Sequence, residues 1–371
     1  NPIVYVDMAR AYVTVGLKDK AEKLMRMALY LDPKNRFVAR AAARFYIHIG
    51  DNERAAEIVR KTGFSRFDPW LMASDISIAM MRGKRSGNIK KGQQMIFSSS
   101  YTPFSISELA SALGTVEMEY GTRKKSRDLF NQSLVDPNDN SLAQAEWAMI
   151  SARIPITIQS GLNVKCSHES KVYKALELND ARESIHHAID WICDMPFSLK
   201  PVFIGYEIST SLLRDYDLSS NILGVGLKSH PNDPWMLNNR AYVNARINKL
   251  DEAEKDMEQL EHCNKALSES MSICKEATHG LIAYRRKDRE KGRKLYEQAI
   301  LRASTMKENS EEIKVKAQIN MLREEIIFSN YQNTSALMEL EQLVIPNEKL
   351  ELVKLRNEVF DEMKKNEKNQ G

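Results

Sequence analysis

The stretch GLKDKAEKLMRMALYLDPKN (16–35) sets Ala21, Met25 and Ala28 at i, i+4 and i+7 among charged neighbours. Those three positions share one face of a helix. A small residue at each end lets a neighbouring backbone come close, and the bulky residue between them fills the remaining space. The pattern returns as Ala55-Val59-Thr62, Gly92-Ile96-Ser99, Ser126-Phe130-Ser133 and Ala181-Ile185-Ala188. It continues as Ser219-Leu223-Gly226, Ala253-Met257-Leu260 and Gly292-Tyr296-Ala299, with Thr62 and Leu260 relaxing the last position. The first members lie 34, 37, 34, 55, 38, 34 and 39 residues apart. Recurrence so close to one period predicts stacked copies of a single unit.

A second helix precedes each copy. VYVDMARAYVTVG (4–16) carries Tyr5, Met8, Ala9 and Tyr12 on one stripe and stops at Gly16, a natural helix terminator. FVARAAARFYIHIG (37–50) repeats the design with Ala42, Ala43 and Tyr46, and WMLNNRAYVNARINKLDEAE (235–254) gives a third version. Proline follows several copies, in Asp32-Pro33, Asp136-Pro137 and His230-Pro231, where it ends one helix and starts the link to the next. Each unit therefore reads as helix A, a short turn, helix B and a proline turn.

With its period near 34, early aromatics in helix A, small A–B contact residues and closing proline, the chain resembles a tetratricopeptide repeat protein. The resemblance runs from about residue 2 to about residue 303. It implies an all-α, right-handed α-solenoid of about eight helix-turn-helix repeats with C-terminal capping helices. It also implies that the A helices line the inner surface, and it says little about the ligand, because one fold hosts many functions. SELASALGTVEMEYG, DPNDNSLAQAEWA and DMPFSLKP further resemble large bacterial proteins in which such a tail follows an enzymatic head of the PIN-nuclease kind.

The array breaks once. After the helix SLAQAEWAMISAR (141–153), the segment IPITIQSGLNVKCSHES (154–170) is rich in β-branched residues where a helix B is due. The expected organisation is an N-terminal array over 1–153, an irregular insertion over 154–169 with a small hairpin, a second array over 170–303, and capping helices with a charged tail over 304–371. The capping helices read as 311–329, 334–344 and 348–365.

Composition narrows the function classes. Glycine and proline are sparse at 15 and 11 of 371 residues, which favours helix over an all-β fold. A net charge of +4 does not by itself call for nucleic acid or an anionic membrane. Cys166, Cys193, Cys263 and Cys274 form no C-x-x-C pair, so reduced thiols and a cytoplasmic location are expected. No apolar run reaches membrane-spanning length, so no membrane partner is expected. A chain that opens inside a repeat at Asn1-Pro2 is expected to be part of a longer polypeptide.

Candidate chemistry is thin. GVGLKS (224–229) lacks the spacing and the preceding strand of a phosphate loop, and Gly226 is the small residue that the repeat requires. Cys166, His168, His186, His187 and Cys193 are the residues from which a metal site would be built. Adjacent His186 and His187 point about 100° apart on a helix, and the expectation is no metal and no cofactor. No nucleophile elbow or paired-carboxylate motif occurs, so no enzyme activity is expected.

In the first hundred residues lysine and arginine outnumber aspartate and glutamate roughly two to one. Two further basic runs, TRKKSR (122–127) and YRRKDREKGRK (284–294), allow a nucleic-acid reading, but no aromatics interleave with them for base stacking. Placing the A helices on the inner surface, as the resemblance implies, nominates Arg10, Arg40, Arg44, His48, Asn238, Tyr242 and Arg246 as partner-binding residues. The Lys/Asn pattern of the subfamily that clamps acidic chaperone tails is absent, with Val6 and Arg10 in its place. The expected function is a noncatalytic protein–protein interaction scaffold, with self-association compatible. Its alternatives are the sensor or oligomerisation arm of a larger nuclease or antiviral defence protein, and a basic nucleic-acid binder. On this expectation, replacing Arg40 and Arg44 together by glutamate weakens partner capture and leaves helicity intact.

Overall fold

A computed structural model of the chain describes residues 1–371 apart from 99, 159–163, 197, 264–266, 307–309, 347–348, 371 and the side chains of 150, 151 and 367–370. Among the described residues there are twenty α-helices and no strand. They form two compact units, Asn1–Val202 and Phe203–Gly371.

The first unit holds the helix pairs α1 (Pro2–Thr14) and α2 (Lys18–Leu31), α3 (Arg36–His48) and α4 (Asn52–Lys61), α5 (Pro69–Met81) and α6 (Ile89–Ile96), and α7 (Pro103–Tyr120) and α8 (Arg123–Ser133). There follow α9 (Asp139–Ala152), after which no second helix comes before α10 among the described residues, and the pair α10 (His168–Glu177) and α11 (Ala181–Asp194). The boundary between the units falls inside α12 (Lys200–Glu207), which runs on through a π-helical turn, Ile208–Leu212, and pairs with α13 (Tyr216–Ser229). The second unit continues with α14 (Pro234–Arg246) and α15 (Leu250–Glu261), and with α16 (Glu269–Arg285) and α17 (Arg289–Thr305). It closes with α18 (Ser310–Phe328), α19 (Thr334–Gln342) and α20 (Leu350–Gln370). Within each unit successive helices pack side by side, and A helices also touch the next A helix, as α1 touches α3 and α14 touches α16.

One register runs through all eight B helices. The residue four positions after the N-cap is small and buried each time: Ala21, Ala55, Gly92, Ser126, Ser184, Ser219, Ala253 and Gly292. The fifth member corrects the sequence reading, in which Ala181 was the anchor. Ala181 is the first residue of α11 and only half-buried, whereas Ser184 is fully buried four residues after the N-cap Asp180. Its distance to the next anchor, Ser219, is then 35 residues. The Ser99 position of the third copy lies outside the described residues.

The A–B turns share a second device. A residue in the left-handed conformation sits at Gly16, Gly50, Gly83, Asn179, Arg214, Asn248 and Lys287, one in each of seven hairpins. Such a turn reverses the chain in very few residues, and only glycine, or less easily asparagine, adopts it without strain. Where side chains cap helix B, Asp51, Thr122, Asp180, Asp215 and Asp288 each accept a backbone N–H from the first turn. At the α16–α17 crossing, Gly280 and Gly292 bring backbones together. A Cβ on Gly280 would meet the Gly292 carbonyl at 3.1 Å, and one on Gly292 would meet Tyr284 at 2.5 Å.

The irregular segment begins at Arg153, whose left-handed backbone ends α9. Arg123 Nη2 donates to the carbonyls of Ala152 and Arg153 at 3.0 and 2.7 Å, satisfying the end of that helix. Ile154 and Ile156 then bury themselves against Phe130, Leu134 and Leu142, so an extended apolar strap fills the place of a helix B. No strand forms among its described residues, and 159–163, the middle of the expected hairpin, lie outside them. Helices α10 and α11 belong to the first unit.

Candidate functional site

The first unit draws three of the nominated arginines together. Arg40 on α3 donates from Nη2 to Glu108 Oε1 and Oε2 on α7, at 2.8 and 2.6 Å. Glu108 also accepts from Asn138 Nδ2 at 2.7 Å, and the Arg40 guanidinium lies over the Trp70 ring at 4.7 Å. Only 16% of the Arg40 side chain and 7% of that of Glu108 remain exposed, so this pair is structural. Arg10 on α1 donates to the Asp194 carbonyl, at the end of α11, at 2.6 Å.

Arg44 is different. It lies one turn beyond Arg40 on α3, is exposed, and makes no hydrogen bond or ion pair among the described residues. Although water reaches it, the surrounding protein is dense enough to lower its pKa, and the Arg40 and Arg10 guanidiniums add to that shift. Glu108 and Asp139 oppose it. Asp139 is itself pushed upward by burial. Arg44 remains charged at neutral pH, because a guanidinium starts so far above it. His48 is half-buried at the next turn of α3.

The second unit holds the other nominations. Asn238 and Arg246 are buried, at 5% and 7% exposure, and so cannot line an open surface. Tyr242 donates to Asn320 Oδ1 at 3.1 Å and accepts from Arg246 Nη1 at 2.8 Å. Arg246 Nη2 reaches Glu358 Oε1 at 2.6 Å and Glu362 Oε1 at 3.4 Å, both on α20. Its guanidinium covers the Tyr216 ring at 4.4 Å, and the Tyr216 hydroxyl donates to the same Glu358 oxygen at 2.7 Å. Arg323 on α18 holds Glu362 through Nε and Nη2 at 3.0 and 2.9 Å, and Arg214 holds Asp361 at 2.7 Å.

Of the residues that sequence expected to grip a partner in this unit, Tyr242 bonds Asn320 on α18 and Arg246 grips the chain's own α20. That helix adds an apolar row to its acidic one: Leu352 and Val359 are buried against Val315, Ile319, Leu322 and Ile326, with Leu355 and Met363 packed alongside. Glu358 and Glu362 were legible as one helix stripe four residues apart, but their arginine partners lie far away in sequence. Glu108, likewise missed, gave no local signal.

The basic run 284–294 is largely paired. Arg285 bonds Glu324 at 2.9 Å, Arg286 bonds Glu254 and Asp251 at 2.7 and 2.5 Å, Arg289 bonds Glu325 at 2.6 Å, and Arg293 bonds Glu297 at 2.9 Å. GVGLKS lies inside α13 and builds no phosphate loop. No described helix is long and apolar enough to cross a membrane.

Residues 3–35 match the family model of the tetratricopeptide repeat. No curated protein matches the chain in sequence. Among solved structures it is similar to a tetratricopeptide repeat protein from Parabacteroides merdae, at 12% identity and a TM-score of 0.30, over 85% of this chain and 98% of that one. Yeast Tom70 aligns at 12% identity and a TM-score of 0.34, over 98% of this chain and 90% of that one. A chain of the APC/C hetero-tetramer Cut9-Hcn1 aligns at 11% identity and 0.34, over 98% and 92%. The family match thus falls on the first helix pair, α1 and α2, and the later helix pairs reuse the register of that pair.

Proposed function

We propose that this protein is a noncatalytic interaction scaffold whose N-terminal unit receives an acidic segment of a partner protein at Arg44, with Arg10 adding to the positive charge there. The observation that carries this reading is the contrast between the two units. In the second unit the inner arginines Arg246 and Arg323 already hold the carboxylates of an acidic helix. In the first unit Arg44 is an exposed residue with no hydrogen-bonded or ion-paired carboxylate among the described residues. An arginine fork pairs with carboxylate in two parallel hydrogen bonds, which suits an Asp- or Glu-bearing segment. The commitment of Arg285, Arg286, Arg289 and Arg293 to carboxylates favours a protein over a nucleic acid.

The test is site-specific photo-crosslinking from position 44, with the captured protein identified by mass spectrometry and the capture repeated with Arg44→Glu. The expected adduct maps to an acidic stretch of one partner, and Arg44→Glu abolishes its recovery with an unchanged far-UV circular dichroism spectrum. Equal recovery of that partner by Arg44→Glu sinks the reading.

A further inference from the structure

His168 opens α10, and His187 and Asp190 sit about one turn apart on α11. A ring nitrogen of each histidine and an oxygen of Asp190 all lie within 4.8 Å of one another. Two further observations single out this group. Nδ1 of His168 and Nδ1 of His187 are both shielded from water and have no hydrogen-bond partner. A polar atom shut away from water in that state costs free energy unless something occupies it. The other nitrogen of His187, Nε2, lies 3.0 Å from Glu183 Oε1. A carboxylate that takes the Nε2–H fixes the tautomer and leaves the Nδ1 lone pair free, the arrangement that supports metal-binding imidazoles.

We propose that His168, His187 and Asp190 bind one divalent transition-metal ion, zinc foremost, with water as the fourth ligand. Two imidazoles and one carboxylate are the borderline donor set that zinc accepts in tetrahedral geometry. At metal–ligand distances of about 2.0–2.1 Å the donor atoms stand roughly 3.3 Å apart. His168 Nδ1 and Asp190 Oδ2 are 3.9 Å apart, so the donors draw together by a fraction of an ångström in this pair to hold the ion. The ion ties the first residue of α10 to α11 where the chain re-enters helix after the irregular segment. This revises the expectation of no metal. Of the five residues considered from sequence, the fold brings in His168 and His187, adds Asp190, and leaves Cys166 and Cys193 exposed outside the group. His186 lies 3.7 Å from Asp190 on the exposed side and serves as a control.

The test is a zinc titration of the tag-free full chain, stripped with EDTA and desalted, followed by competition with a chromogenic chelator. One equivalent is expected to bind. His187→Ala and Asp190→Asn should weaken binding by about a hundredfold or more, and Glu183→Gln by about tenfold. His186→Ala and Cys193→Ser should stay within about threefold. Cobalt(II) on the wild type, which needs no variant to fold, should show tetrahedral ligand-field bands without a thiolate charge-transfer band. Absence of saturable binding, a thiolate band, or binding that survives in both His187→Ala and Asp190→Asn overturns the proposal.

Discussion

Arg246 and Glu358 stand 112 residues apart in sequence and 2.6 Å apart in the fold, and both are almost entirely buried. The pair ties an A helix to the last helix of the chain. Around it stand the aromatic neighbours Tyr216 and Tyr242, and the Tyr216 hydroxyl donates to the same carboxylate.

Removing one side of that pair should be costly. Arg246→Met leaves Glu358 buried without its guanidinium, and the second unit should lose about 3 kcal/mol of stability. Arg246→Met with Glu358→Met should recover most of that loss, because an apolar pair of similar volume needs no desolvated charge. Urea denaturation of the four members of this double-mutant cycle measures the coupling, and additive losses would contradict it.

Docking of α20 should be acid-sensitive. Burial acts to raise the pKa of Glu362, but Arg323 and Arg246 outweigh it and the net shift is downward. A carboxylate whose folded pKa is depressed stabilises the fold above its unfolded pKa, about 4.3, and loses that contribution as pH falls through the folded value. Hydrogen exchange of α20 amides should therefore hold steady from neutral pH to about pH 5 and accelerate at lower pH, after correction for intrinsic rates. Glu362→Gln should flatten that dependence.

Arg40 and Arg44 should separate cleanly. Arg40→Glu sets a carboxylate against the buried Glu108 and should cost about 3 kcal/mol or more in the first unit. Arg44→Glu, on an exposed position without an ion pair, should shift stability by no more than about 0.5 kcal/mol. The double charge reversal suggested by sequence therefore confounds binding with folding, and thermal melts of the two single variants check this.

Lys287 occupies a left-handed turn with φ of 69° that glycine fills in three other hairpins. Relief of that strain exceeds the added freedom of the unfolded chain, so Lys287→Gly should stabilise by about 0.5 kcal/mol. A melting temperature unchanged or lowered would contradict the strain argument.

The Gly280–Gly292 crossing predicts the opposite sign. Gly292→Val drives a branched side chain into Tyr284 and the Gly280 carbonyl, and should cost about 2–3 kcal/mol as α16 and α17 separate. Calorimetry of that variant measures it.

Sequence alone determined the repeated unit. Small residues at a fixed helical spacing, glycine or asparagine at the turns and aspartate at the caps are contacts within or between adjacent helices, so their pattern recurs along the chain. That logic failed by three residues at Ala181, because Ala181 and Ser184 are both small and only the cap at Asp180 distinguishes them. Tertiary structure decided which of the nominated arginines are paired within the chain. Arg40 meets Glu108 across 68 residues and Arg246 meets Glu358 across 112, and nothing periodic announces either partner. It also decided that His168, His187 and Asp190 share one corner, since a helix pair juxtaposes side chains from separate helices that have no fixed spacing in sequence. Local geometry repeats and can be read from the chain. Charge pairing between helices far apart in sequence depends on which of them the fold brings together.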